Sequence, residues 1–283
     1  MNVADAYDTC ERITTEQARN FSYGIKLLPP AKRRAMSALY AMARRIDDIG
    51  DGSAPAPEKL DALAGVRKQI ASLAEGAPDG DDAVLVALAD VARRWPLPLG
   101  ALEELVEGCE MDVNGTHYAT FDEMVGYCRR VAGSVGRLSL SLYGTAEPET
   151  AAPLADALGV ALQVTNILRD LLEDRDVMGR VYLPEEDRER FGVGADLRGP
   201  ADALTALVCF EAARAEAWYE RGFALLPMLD WRSRACTAAM AGIYHRLLLR
   251  IQRDPGAVMR GRISLPGREK LSVALRALTV GGP

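Results

Sequence analysis

Histidine, cysteine pairs and strand-forming runs are what this chain has least of. The five cysteines (Cys10, Cys109, Cys128, Cys209 and Cys236) are scattered, odd in number and form no CxxC pair. That argues against a zinc site or a disulfide framework and suits a reducing cytosol. There are two histidines, His117 and His245. Neither has a partner at ligand spacing, so each reads as structural or exposed rather than as a metal ligand or general base. No apolar run approaches the roughly 18 to 20 residues of a bilayer span, and Asp5, Asp8 and Glu11 stand where a secretory signal would be basic and apolar. The expected location is the cytoplasm. The formal net charge of −6 argues against a nucleic-acid partner, because such proteins concentrate positive charge. An anionic ligand would have to be held locally, by a few arginines or by metal ions.

Apolar residues make up 49% of the sequence and charged residues 26%, the balance of a globular protein with a sizeable core. The length admits one large domain or two ordinary ones, and one, over residues 1–283, is expected. Alternating β-branched runs are nearly absent and helical periodicity dominates, which predicts an all-α fold. Ala35, Leu39, Met42 and Ile46 mark a helix that starts after Pro29-Pro30 and stops near Gly50-Asp51-Gly52. Further helices are expected over 58–74, 82–94, 99–113, 121–142, 150–174, 201–225 and 233–253, with 179–199 a long connection holding one short helix. Long antiparallel helices of this kind pack as a bundle with ligand sites in the centre. The tryptophans Trp95, Trp218 and Trp231 read as packing residues, Trp231 near a surface.

Two acidic constellations carry the chemistry. In Arg44-Arg45-Ile46-Asp47-Asp48-Ile49-Gly50-Asp51, Asp47 and Asp51 share one helical face, at an end where the macrodipole already disfavours negative charge. A solvated helix end explains such a run equally well. The second, Gln163 to Asp174, repeats the pattern in Asp170 and Asp174 with Asn166 one turn earlier, inside an otherwise apolar helix. Carboxylates on such a face must be paired or metal-bound, because desolvating them alone costs too much. Two facing Asp-x-x-x-Asp helices suit hard cations such as magnesium that bridge to phosphate, which implies a diphosphate substrate. Arg44 and Arg169 precede the two pairs and can contact phosphate oxygens, or pair with the neighbouring aspartates.

Read together, these segments resemble the squalene and phytoene synthase family of head-to-head prenyl transferases, over about residues 15–265. The resemblance rests on ArgAsnPheSerTyrGly at 19–24, TyrAlaMetAlaArgArgIleAspAspIleGlyAsp at 40–51, TyrCysArgArgValAlaGlySerValGly at 127–136, the 163–174 stretch, and GlyArgValTyrLeuPro at 179–184. It implies a helical isoprenoid-synthase bundle with a central cavity and several magnesium ions on the diphosphates. The metal residues implied are Asp47, Asp51, Asn166, Asp170 and Asp174, with Asp48 a rival in the first motif. Tyr40, Tyr127 and Tyr244, with Arg44 and Arg169, fall at catalytic positions, although core aromatics are the ordinary reading of such tyrosines. Ala132, Val135, Gly136, Leu162 and Gln163 would line a prenyl cavity, and Phe21 and Arg180 would contact substrate. Small residues such as Gly133 and Gly136 leave room for a chain or permit close helix packing. In place of the His-led, serine-containing stretch of many relatives the chain has Gln17-Ala18-Arg19-Asn20, so Arg19 or Asn20 is expected to replace the hydroxyl.

The form of segments 19–29 and 44–52 looks most like bacterial presqualene diphosphate synthases of hopanoid pathways. The expected reaction is therefore condensation of two farnesyl diphosphates to presqualene diphosphate, with no NADPH needed for that step. Phytoene synthesis from geranylgeranyl diphosphate is the alternative within the family, and a non-catalytic helical assembly partner is the alternative outside it. Arg246, Arg250, Arg253, Arg260, Arg262, Arg268 and Lys270 make the C-terminal segment basic, which fits peripheral contact with an anionic membrane surface. Arg262 or Arg268 can instead reach the diphosphates.

Overall fold

Seven of the described α-helices begin at a side-chain cap or a first-turn proline. The computed structural model describes all residues except Arg19, Ala77, Gly281 and Pro283, together with the side chain of Val280. The described residues form thirteen α-helices and no strand: α1 Val3–Gln17, α2 Phe21–Ile25, α3 Pro30–Asp51, α4 Ala56–Ala74, α5 Ala83–Arg94, α6 Leu99–Val113, α7 Phe121–Cys128, α8 Ser134–Tyr143, α9 Pro148–Asp176, α10 Glu185–Phe191, α11 Ala201–Phe223, α12 Trp231–Arg253 and α13 Gly267–Val280. Asn2, Asp82, Thr120 and Asp230 each cap a helix, their side chains accepting from backbone N–H groups that the first turn leaves unpaired. Proline opens α3, α4 and α9, where its missing N–H costs nothing.

The bundle is built around α9, which is buried along most of its length and packs against α8, α11 and α12. Among the described residues it is also the one helix long and apolar enough by composition to cross a membrane, but 67% of that window is buried inside the protein. Its apolarity serves the core. The helices α3, α8 and α12 complete the wall around a central cavity, while α1 and α5 back α3 from outside and α13 lies on α12.

Two expectations need correction. The single helix expected over 121–142 is broken into α7 and α8 by a π-helical turn at Arg129–Gly133. Such turns are rare and frequently found at functional sites. Here Gly133 lies so close to Asp156 of α9 that a Cβ would collide with its carboxylate, and Arg129 pairs with the same carboxylate at 2.7 Å. Gly136 likewise admits the backbone of α9, since a Cβ there would stand 2.5 Å from the Ala155 carbonyl oxygen. These glycines chiefly allow close helix packing. The second correction concerns the basic C-terminal segment, much of which is internally paired. Arg246 and Arg250 bind Glu269, Arg260 binds Asp254, and Arg262 binds Asp170 and Glu173.

Candidate active site

The helix α3 presents Tyr40, Arg44, Asp47 and Asp51 along one face, spaced by three or four residues, and α9 answers with Gln163, Asn166, Asp170 and Asp174. Between the two faces lies a polar cavity of about 230 Å³ bordered by Asp47, Asp51, Asn166, Asp170 and Asp174. It continues into an apolar cavity of about 250 Å³, and Asp47, Val131, Gln163 and Asn166 border both. A charged compartment thus opens onto a greasy one, which suits a ligand with an anionic head and a hydrocarbon tail.

The carboxylates of the polar cavity are held under electrostatic stress. Asp47 keeps surface open to the cavity while ringed by protein, and this burial, with Asp51 nearby, pushes its pKa up to about 7. Burial and then Asp170 push Asp174 up to about 7. The side-chain oxygen of Asn166 is buried without a hydrogen-bond partner. The cations present offset part of this. Arg180 donates to Asp51 at 2.9 Å and to the Gly50 carbonyl at 3.2 Å, reaching across from the loop after α9. Burial works against the charge of Arg169, but its contacts to Asp170 more than offset this and hold its pKa above the usual arginine range. Arg262 adds a contact to Asp170 at 3.0 Å.

Most of the sequence-predicted residues converge. Phe21, Tyr40, Arg44, Ala132, Val135, Gly136 and Leu162 line the apolar cavity, and Tyr127, Arg169 and Arg180 line the polar one. Three do not fit as expected. Asp48 is exposed, turned away from the polar cavity, and paired with Arg44 at 2.5 Å, because it sits one residue round the helix from Asp47. Tyr244 borders neither cavity. It is buried behind Phe21, with ring centroids 5.6 Å apart and the Arg169 guanidinium 5.9 Å from its ring. Asn20 precedes α2 and also borders neither cavity. Arg19 lies outside the described residues. His245 is structural, as expected: it bonds Glu216 at 2.8 Å and packs on Tyr219.

Sequence reasoning missed Asp112 and Tyr182. Asp112, on α6, accepts from the Tyr127 hydroxyl at 2.9 Å and the Tyr182 hydroxyl at 3.0 Å, and burial pushes its pKa up to about 6. Tyr182 stands inside the quoted 179–184 segment, whereas nothing in the spacing around Asp112 marks it.

An all-helical bundle with paired aspartates above an apolar cavity defines the isoprenoid-synthase class of fold. Comparison with known proteins narrows this. The profile of the family described as squalene/phytoene synthase matches residues 14–269, and the chain belongs to that family of prenyltransferase-type enzymes. The phytoene synthase of Mycobacterium tuberculosis (strain ATCC 25618 / H37Rv) is 47% identical, over 98% of this chain and 91% of its own. The phytoene synthase of Arthrospira platensis is 37% identical, over 95% of this chain and 91% of its own. Among solved structures, a dehydrosqualene synthase in complex with ligand superposes with a TM-score of 0.89 at 29% identity, covering 98% of this chain and 97% of that one.

These relatives overturn the expectation of a farnesyl-using presqualene diphosphate synthase. Of the two segments that suggested it, 44–52 stands at the polar end of the site and 19–29 brings only Phe21 and Ile25 to the apolar cavity, whereas Met36, Tyr143 and Thr237, which also line that cavity, lie outside every motif quoted.

Proposed function

We propose that this protein condenses two molecules of geranylgeranyl diphosphate head to head to give phytoene and two diphosphates. The observation that carries the reading is the joining of a polar cavity with two facing aspartate pairs to an apolar cavity, with Asp47, Gln163 and Asn166 at the junction. The names of the relatives that match nearly the whole chain support the twenty-carbon substrate. Ionisation breaks the C–O bond of one allylic diphosphate, and the double bond of the second substrate attacks the resulting cation. Loss of a proton leaves a cyclopropylcarbinyl diphosphate. A second ionisation, rearrangement and proton loss complete the forty-carbon product. Because the last step sheds a proton, no reductant enters the balance.

Among the described residues no three His, Cys, Asp or Glu side chains stand close enough to hold a metal ion by themselves. The donor set nevertheless fits magnesium, which prefers oxygen ligands and completes its shell with water and substrate phosphate. The stressed Asp47 and Asp174 and the unpartnered Asn166 oxygen are what a cation would relieve. Asp47, Asp51, Asn166, Asp170 and Asp174 would hold it. Bound magnesium would neutralise the diphosphate and stabilise it as a leaving group. Arg169, Arg180 and Arg262 offer planar N–H donors to the same oxygens, trading their aspartate partners for phosphate. Tyr40, half-buried in the wall of the apolar cavity one turn from Arg44, offers an electron-rich ring that can stabilise developing positive charge. The apolar walls keep water from the carbocation. The product is a lipid, so the reading extends to peripheral contact with a membrane surface.

The test is incubation of purified protein with magnesium and either farnesyl or geranylgeranyl diphosphate, with products identified by mass spectrometry. Phytoene from the longer substrate is expected. A thirty-carbon product from farnesyl diphosphate alone would overturn the chain-length assignment, and no product from either would overturn the catalytic one.

A further inference from the structure

One aromatic side chain, Tyr143, lines the apolar cavity far along the helices from the aspartates. Three stretches of helix run along the cavity, each reaching the polar compartment at one end only: Met36 to Asp47 of α3, Ala155 to Asn166 of α9, and Val131 of the π turn to Tyr143 of α8. At about 1.5 Å per residue these stretches span roughly 16 to 18 Å. Their polar ends coincide, because Asp47, Asn166 and Val131 all border the polar cavity too. Away from the aspartates the stretches end at different levels: Ala155 of α9 packs on Gly136, Met36 of α3 lies beside Ser139, whose Oγ is 3.8 Å from its Sδ, and α8 runs on one further turn to Tyr143. Tyr143 is the last residue of α8 and lines the cavity at the end away from the aspartates.

Its ring and its backbone are each held. The hydroxyl lies 3.3 Å from Cys236 Sγ on α12, and the side chain is only 6% exposed. The backbone carbonyl accepts from Lys32 Nζ of α3 at 2.6 Å, and the same ammonium bonds Asp230 at 2.7 Å and the Ser233 hydroxyl at 3.1 Å. Lys32 thereby joins α3, α8 and α12 beneath the cavity. A chain end arriving there meets a buried ring that cannot swing aside without breaking its contact to Cys236.

We infer that Tyr143 is a specificity-determining residue, the gauge that limits how many isoprene units fit between the diphosphate site and its ring. The inference rests on the prenyl-condensing reading of the site. Replacing tyrosine by alanine removes more atoms than one isoprene unit carries, so the cavity gains about one unit of depth. Apolar pockets discriminate by about tenfold or more for even a single methylene, so the change is readable as a substrate ratio.

The experiment compares wild type, Tyr143→Ala and Tyr143→Trp with the fifteen-, twenty- and twenty-five-carbon allylic diphosphates. Turnover is measured as kcat/KM, and binding as the melting shift produced by the non-ionisable thiodiphosphate analogues of the same lengths. Tyr143→Ala is expected to raise the ratio of the twenty-five- to the twenty-carbon substrate at least tenfold. Tyr143→Trp is expected to move the ratio of twenty- to fifteen-carbon substrate about tenfold toward the shorter chain. Should the alanine variant not fold, Tyr143→Leu takes its place, with the same direction expected. Folded variants whose length ratios match wild type in both readouts overturn the inference while leaving phytoene synthesis intact. A wild type that prefers the fifteen-carbon chain overturns phytoene synthesis instead, and Tyr143 is then judged by whether the alanine variant gains the twenty-carbon substrate.

Discussion

Arg180 donates to Asp51 at 2.9 Å, so the loop that follows α9 is tied to the C-terminal end of α3 across the mouth of the polar cavity. The Arg180 backbone N–H also donates to the Asp174 carbonyl at 2.8 Å, so a residue outside both aspartate motifs ties one to the other. More than half of the Asp51 side chain is exposed, so the pair itself adds at most about 1 kcal/mol to stability. Arg180→Ala is therefore expected to leave the melting temperature nearly unchanged while lowering kcat/KM by about 100-fold, as loss of one donor to a developing anion does. Steady-state kinetics beside thermal unfolding check both parts.

Arg44 and Arg180 offset only part of the burial that pushes up Asp47 and Asp174. Magnesium with inorganic diphosphate is expected to raise the melting temperature of wild-type protein, because a ligand bound by the native state alone stabilises it by mass action. Asp47→Asn and Asp174→Asn are each expected to weaken or abolish that shift, with activity falling in parallel. Differential scanning fluorimetry with and without chelator reads the shift, and variants that keep all of it would refute these two residues as cation holders.

Asp112 accepts both tyrosine hydroxyls of the polar cavity. Asp112→Asn replaces one acceptor by a donor and opposes one hydroxyl with an N–H. Hydrogen bonds to charged groups contribute about 1.5–3 kcal/mol each, so a destabilisation in that range is expected, with kcat falling more than KM rises. Chemical denaturation measures the first and initial rates the second.

Gly136 faces the carbonyl of Ala155, and Gly136→Ala forces α8 and α9 apart. Overpacking of this kind costs about 1–3 kcal/mol. A lower melting temperature is expected together with weaker binding of the prenyl analogues, whose cavity the same residue lines.

A buried acid away from the site gives the chain its own pH signature. Burial raises the pKa of Glu211 from 4.5 to about 8, with Arg214 lowering it and Asp187 raising it. The folded state therefore holds a proton that the unfolded state releases at lower pH. Its contribution to stability is fully present below about pH 4.5 and is lost as the pH rises through about 8. Glu211→Gln is expected to flatten the fall in melting temperature between about pH 5 and pH 8. An unchanged slope would mean that other groups set it.

The sequence by itself determined the fold class, the family and most of the charged site. These are legible because helical spacing is a local property: Asp47 and Asp51 share a face, and so do Asn166, Asp170 and Asp174, whatever surrounds them. The start signals at Pro30, Asp82 and Asp230 are local for the same reason. Tertiary structure alone decided the rest. Asp48 differs from Asp47 by one residue yet faces solvent, because a step of about 100° round a helix carries a side chain out of the cavity. Asp112 belongs to no repeat and gains its meaning from Tyr127 and Tyr182, brought from 15 and 70 residues away. The break at Arg129–Gly133 follows from Asp156 on another helix. The depth of the apolar cavity is set where α3, α8 and α12 meet beneath Tyr143, and a distance between helices has no local period for a sequence to display.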